Sequence, residues 1–276
     1  MPYVNLDGTR FYHKQLGHGP DVVLLHAVTS NMAVWLFIGI IEALRDDFRV
    51  TAYDLRGHGQ TDVTPTGYTS LEMAGDLHKL AQALNLGPAF LVGHSFGAVI
   101  ALHAAVRYPE MVRGLILSDP FFPGLSHIEP NLGDTHVWQE MRATFQRSGA
   151  DLGEKVDFAR LFRTVADMTP AQVEQVRKDM NAPSIGWLAQ LPRLAPTTCG
   201  EDVFAAAGLT AEAICSVRQP VVALYDEHTP FVATRRYLAE HLPNWTIDTV
   251  PGAKHVAPLQ SSKAFIELVQ KHLRAM

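Results

Sequence analysis

Residues 89–108 constrain this chain more than any other stretch. Ala89-Phe90-Leu91-Val92 is an unbroken apolar run of the kind that forms a strand covered on both faces, and Ala98 to Tyr108 is Ala-rich and helical up to Pro109. Only Gly93-His94-Ser95-Phe96-Gly97 separates them. A turn that sharp forces Ser95 into strained backbone angles and stands its hydroxyl clear at the end of the strand, while Gly93 and Gly97 carry no side chain to obstruct it. A serine hydroxyl titrates far above neutrality, so it attacks a carbonyl only if a base takes its proton and donors receive the developing negative charge. The N–H of Phe96, in the first turn of the new helix, points where that charge would collect.

Around this stretch the chain alternates. Val4–Leu6 and Thr9–Gln15 flank Asp7-Gly8, a hairpin signal that predicts an antiparallel edge. Val22–Leu25 and Phe48–Tyr53 read as buried strands joined by one helix carrying Trp35, Ile38, Ile41 and Leu44. Thr69 with Glu72 predicts a capping box for the next helix, whose stripe is Leu77, Leu80, Ala81 and Leu84. Leu115–Leu117 follows the serine helix as a strand and runs into Ser118-Asp119-Pro120. From residue 121 to 216 helical stripes take over: Trp138, Met141 and Phe145; Phe158, Leu161, Phe162 and Val165; Val173, Val176 and Met180, the last opened by Thr169-Pro170 with Gln172. Val221–Tyr225, a helix over Pro230–Leu242, Trp245–Val250 and a final helix with Phe265, Leu268, Val269 and Leu273 resume the alternation. The expectation is an α/β core made of residues 1–120 and 217–276, with 121–216 inserted as a helical cap. In such sheets, ligands bind beyond the carboxyl ends of the strands.

Bulk properties narrow the function. At 276 residues and 47% hydrophobic content the chain is long enough for one large, well-filled domain. A net charge of −5 gives no basic field for nucleic acid and no cationic face for a membrane. Only Cys199 and Cys215 occur, too few for a disulfide framework, and neither has metal-ligand neighbours. The first residues lack a basic segment followed by an apolar core, and no apolar run is long enough to cross a bilayer. A cytoplasmic protein is expected, a monomer or homodimer whose partner is a small-molecule substrate.

Ser95 needs a base. Pro251-Gly252-Ala253-Lys254-His255 follows the last strand, and a histidine in such a loop can swing over the serine. His94 reads as packing, and His26 and His58 as braces for their loops. The acid that would orient His255 has two placements. After the next-to-last strand the usual position holds Thr229, and Asp226 and Glu227, earlier in that loop, would need a different path. Asp119 stands at the carboxyl end of the strand beside that of Ser95, with Pro120 fixing the turn out of it, and is the favoured acid. The loop after Val22–Leu25 offers the Val28 N–H as a second donor to an oxyanion.

With Ser95, His255, the His26 loop and Asp54-Leu55-Arg56-Gly57-His58-Gly59 in place, the chain resembles the α/β-hydrolase superfamily over nearly its full length. Ala27 stands where relatives usually carry Gly. The placement of Asp119 narrows the resemblance to members whose acid follows the sixth strand, such as N-formylmaleamate deformylases and acetamidomethylene-succinate amidohydrolases. The resemblance implies a mostly parallel eight-stranded sheet with helices on both faces, and hydrolysis of a carboxylic ester, lactone or amide through an acyl-enzyme on Ser95, with no cofactor and no metal. Cofactor-free dioxygenases and carbon–carbon bond hydrolases share the arrangement and are the alternatives. Trp35, Phe121, Phe122, Trp138 and Trp187 are the expected walls of the substrate pocket, with Phe158 and Phe162 beside them. As the deformylase resemblance suggests, Arg142, Arg147, Arg160 and Arg163 are available to a substrate carboxylate, although a solvated helix face explains them more cheaply.

Overall fold

The computed structural model describes residues 2–129, 131–180, 187–242 and 244–276, with Trp187 described by its backbone alone. β1 (Tyr3–Leu6) and β2 (Thr9–Leu16) form the predicted hairpin, with Leu6 opposite Thr9. Asp7 and Gly8 both take positive φ, 52° and 89°, as a two-residue turn matched to strand twist requires. β3 (Asp21–Leu25), β4 (Arg49–Tyr53), β5 (Ala89–His94), β6 (Val112–Ser118), β7 (Val221–Asp226) and β8 (Trp245–Val250) complete an eight-stranded sheet in the order β1-β2-β4-β3-β5-β6-β7-β8. β3 through β8 pair in parallel, and β2 runs antiparallel to β4.

Because side chains alternate along a strand, each central strand feeds two cores. Val23, Leu25, Leu91, Leu115, Leu117 and Ala223 enter one cluster; Val22, Leu24, Val92, Ile116, Val222 and Leu224 enter the other. The first is closed by α3 (Ser70–Ala83) and α4 (Phe96–Arg107), the second by α1 (Ala33–Phe37), α2 (Ile40–Leu44) and α13 (Ser262–Ala275). α3 opens on the expected capping box between Thr69 and Glu72. The single helix expected over Trp35–Leu44 is instead two, because Gly39 at φ 79° ends the first turn and starts the next.

Between β6 and β7 the described chain holds helices only: α5 (His136–Arg147), α6 (Phe158–Ala166), α7 (Pro170–Asp179), α8 (Trp187–Leu194), α9 (Cys199–Asp202), α10 (Ala211–Cys215) and short 3₁₀ turns. α7 begins with Pro170 at its first position and a Thr169–Gln172 capping box. α11 (Val232–His241) follows β7, and α12 (Ala257–Gln260) follows β8. No described helix is long and apolar enough to cross a membrane.

Candidate active site

Ser95 lies between β5 and α4 at φ 52° and ψ −118°. A non-glycine residue is held there only when its surroundings leave no choice, and here they are specific: the Ser95 N–H donates to the Ser118 carbonyl at 2.8 Å. The flanking glycines are fixed by contact rather than by φ. A Cβ on Gly93 would strike the Gly97 carbonyl, and one on Gly97 would strike the Leu25 carbonyl, so strand, turn and helix pack without room for a methyl group.

Three strand ends converge. Asp119 follows β6 at φ 45°, fully buried, and its Oδ2 accepts from Nδ1 of His255 at 2.7 Å. His255, at φ 86° in the loop after β8, turns Nε2 to the Ser95 Oγ at 3.2 Å. With Nδ1–H donated to the carboxylate, Nε2 carries the lone pair and is free to accept a hydrogen bond from the Ser95 hydroxyl. Phe231 sets its edge against the His255 ring, centroids 5.1 Å apart.

The other two carboxylates of this region are turned elsewhere. Asp226 is fully buried; its Oδ2 accepts the N–H of Ala257 at 3.1 Å and its Oδ1 has no protein partner among the described residues. The Asp226 N–H donates to Asp119 Oδ1 at 3.1 Å. Burial first, and then the negative charge of Asp119, push the Asp226 carboxyl up to about 7. Glu227 is exposed and caps the Gly252 N–H at 2.8 Å. Thr229, in the usual acid position, accepts the Phe231 N–H on its hydroxyl at 3.1 Å and so begins the turn into α11.

His94 does more than pack. Its Nε2 lies 2.7 Å from the His255 carbonyl, which can only accept, so that nitrogen donates and the ring holds the His255 loop in place. Burial keeps this imidazole down at about 4, and the nearby His255 adds to the effect, so it stays neutral. The side chain of His94 follows from the turn itself; its partner lies 161 residues away and leaves no mark in sequence.

The loop carrying Val28 is tied down at three points. Leu55 N–H donates to His26 Nε2 at 3.0 Å, Thr29 N–H to His58 Nε2 at 3.3 Å and Met32 N–H to Asp54 Oδ1 at 2.7 Å. His26 and His58 therefore brace this loop, as their sequence positions suggested, and the motif 54–59 is the other half of the clamp. Both rings are buried and held below the ordinary imidazole range by desolvation, His58 at about 4. Ala27 needs no left-handed backbone; Thr29 takes it instead, at φ 68°. Among the described residues neither the Val28 nor the Phe96 N–H donates to a protein acceptor, and both residues line the cavity above Ser95.

That cavity has a volume of about 360 Å³, within the range of small-molecule sites, and is walled jointly by strand-end loops and by residues from the helical segment 121–216. Phe121, Trp138 and Phe158 line it. Trp35 and Phe122 do not, correcting the expectation for both. Trp35 is fully buried on the opposite side of the sheet, stacked on Phe265 with centroids 6.2 Å apart, while its neighbour Val34 reaches the cavity. Phe122 is fully buried in the first core cluster, and Phe162 likewise. The Trp187 side chain lies outside the described residues. Phe204 and Phe231, which no helical stripe singled out, are walls as well. None of the four cap arginines lines the cavity: Arg147 pairs with Asp179 at 2.8 Å and Arg160 with Asp151 at 2.7 Å. Among the described residues no group of three or more His, Cys, Asp or Glu is placed to hold a metal ion.

Comparison with known proteins bears on the fold and the family. A 2-(acetamidomethylene)succinate hydrolase of Mesorhizobium japonicum is 41% identical over 106 residues, 38% of this chain and 37% of that protein. Epoxide hydrolase 3 of Siraitia grosvenorii is 35% identical over 127 residues, 44% of this chain and 39% of that protein. The matches thus span less than two fifths of either relative. Among solved structures, E-2-(acetamidomethylene)succinate hydrolase superposes with a TM-score of 0.67 at 24% identity, covering 99% of this chain and 98% of that one. The N-formylmaleamic acid deformylase of Pseudomonas putida S16 gives 0.66 at 22% identity, covering 97% and 98%. Residues 20–261 match the sequence profile of the alpha/beta hydrolase fold, and the chain belongs to that family.

Proposed function

We propose that this protein is a serine hydrolase that cleaves a small carboxylic ester, lactone or amide through an acyl-enzyme on Ser95. The observation that carries the reading is the continuous line from Asp119 through His255 to Ser95, with links of 2.7 and 3.2 Å, opening onto a cavity. His255 Nε2 takes the Ser95 proton as Oγ attacks the substrate carbonyl, and Asp119 holds the ring in the tautomer that leaves Nε2 free and stabilises the imidazolium. The N–H groups of Val28 and Phe96 receive the oxyanion, an arrangement in which loss of one donor costs about 10² to 10³ in rate. His255 then gives its proton to the leaving group, and water enters by the same base to release the acid. Residues 121–216 act as a cap that shapes the substrate cavity.

The test is a fluorophosphonate probe with peptide mapping. Labelling of Ser95 in folded wild-type protein, lost in Ser95→Ala together with hydrolysis of a broad ester and amide panel, is the expected outcome. Absence of labelling, or oxygen uptake that survives Ser95→Ala, would sink the proposal.

A further inference from the structure

The wall of the cavity divides sharply by polarity. Its polar side chains gather at the strand-end loops, where Ser95, His94, His255, Thr29 and Ser30 surround the reacting centre. Thr135, on the helical side, is already occupied: its hydroxyl donates to the Leu132 carbonyl at 2.7 Å and accepts the Trp138 N–H at 3.4 Å. Apart from the indole N–H of Trp138, buried without a protein partner among the described residues, the rest of the helical side is apolar, with Leu132, Met141, Phe158, Leu161, Val203 and Phe204 facing the space. No Asp, Glu, Lys or Arg lines the cavity among the described residues, and residues 181–186, Asn-Ala-Pro-Ser-Ile-Gly, contain no charged side chain. Of the nearby cations, Arg147 and Arg160 are paired and Lys254 lies 3.4 Å from Glu140, while Arg142, whose Nε is buried without a partner among the described residues, does not line the cavity.

Building on the hydrolase reading, we propose that the substrate is an ester or lactone with an uncharged hydrocarbon body, and that substrates bearing a free carboxylate beyond the scissile group are rejected. A carboxylate seated against the helical wall would give up its water and gain no cation, only the neutral indole N–H of Trp138, whereas an alkyl or aryl body loses nothing polar and covers the apolar wall. The imidazoles do not change this, since His94 is neutral and His255 is committed to Ser95 and Asp119. With about 30 Å³ for each water-sized group, 360 Å³ admits a substrate portion on the order of a dozen such groups. The two relatives named for carboxylate-bearing compounds therefore share the fold of this chain without sharing its specificity.

The experiment compares p-nitrophenyl hexanoate with the mono-p-nitrophenyl ester of adipic acid, matched in length and differing in the terminal carboxylate, alongside alkyl fluorophosphonate labelling of Ser95. The expected result is a kcat/KM for the hexanoate about 100-fold or more above that for the adipate. Equal or preferred turnover of the adipate by protein that labels at Ser95 overturns this inference and leaves the hydrolase reading standing. Failure of both labelling and turnover defeats the hydrolase reading, and this inference with it. If Ser95 labels and neither ester turns over, protection from labelling settles the matter: hexanamide protecting better than adipamate supports the inference, and the reverse overturns it.

Discussion

Ser95, Asp119 and His255 all hold positive φ, at 52°, 45° and 86°, and each residue so held costs on the order of 1–3 kcal/mol that the surrounding packing must offset. Ser95→Gly is therefore expected to remove the nucleophile yet raise Tm by roughly 2–4 °C, the relief of strain outweighing the extra freedom of glycine in the unfolded chain. Differential scanning calorimetry beside an activity assay checks both halves. Asp119→Asn keeps the shape and tolerates the same backbone, so the far-ultraviolet spectrum and Tm should hardly move while kcat falls by about 10³ to 10⁴, because the amide can hold His255 in the wrong tautomer. A steady-state assay showing near-wild-type turnover would move the role away from Asp119. Of these residues, Ser95 was legible because its constraint is local, a strand and a helix with five residues between them. Asp119 was legible through its place beside Pro120 at a strand end. The role of His94 was not, since nothing near it in sequence hints at the carbonyl it meets.

At the scale of elements, the loop after β8 is held from the end of β7. The Asp226 carboxylate accepts the N–H of Ala257, two residues past His255, and the Asp226 backbone N–H donates to Asp119, so one buried residue touches both the His255 loop and Asp119. Asp226→Ala should orphan the Ala257 N–H, cost about 1–3 kcal/mol and lower kcat by roughly 10- to 100-fold as the His255 loop loses its register. Asp226→Asn keeps an acceptor and should retain most activity. Its carboxyl also titrates: the folded value, about 7, lies above the ordinary 3.8, so the folded state binds the extra proton. The stability this group contributes is complete in acid below 3.8 and is lost as pH rises through about 7. The Tm of wild type minus that of Asp226→Asn should accordingly fall as pH is raised across that window. Sequence placed Asp226 in the right loop but not in this role, because which way a loop carboxylate turns depends on backbone groups it does not adjoin. The same limit produced the unbroken helix expected over Trp35–Leu44: the apolar stripe continues through Gly39, and only the left-handed angle of that residue breaks it.

Over the whole molecule, two cores sandwich the sheet, and buried neutral imidazoles join the loops above it. His58 and His94 are held at about 4, and His26 also well below the ordinary imidazole value of 6.5, chiefly by burial. The unfolded chain takes up protons on these rings first, so stability present above 6.5 is lost as pH falls toward 4, by several kcal/mol in sum. Thermal melts should show Tm dropping steeply across that interval. Strand–helix alternation made the sheet readable, since period and punctuation are local properties. The cavity was not readable, because a helical stripe marks which face is apolar without telling whether a given ring, Phe158 or Phe162, meets another side chain or empty space. Ser95 and His255 are 160 positions apart, and the contact closes only when β8 has docked at the edge of the sheet. On the proposed mechanism, a growing or partly folded chain thus displays its alcohol before its base can reach it, and is inert toward neighbouring esters until its last strand is home.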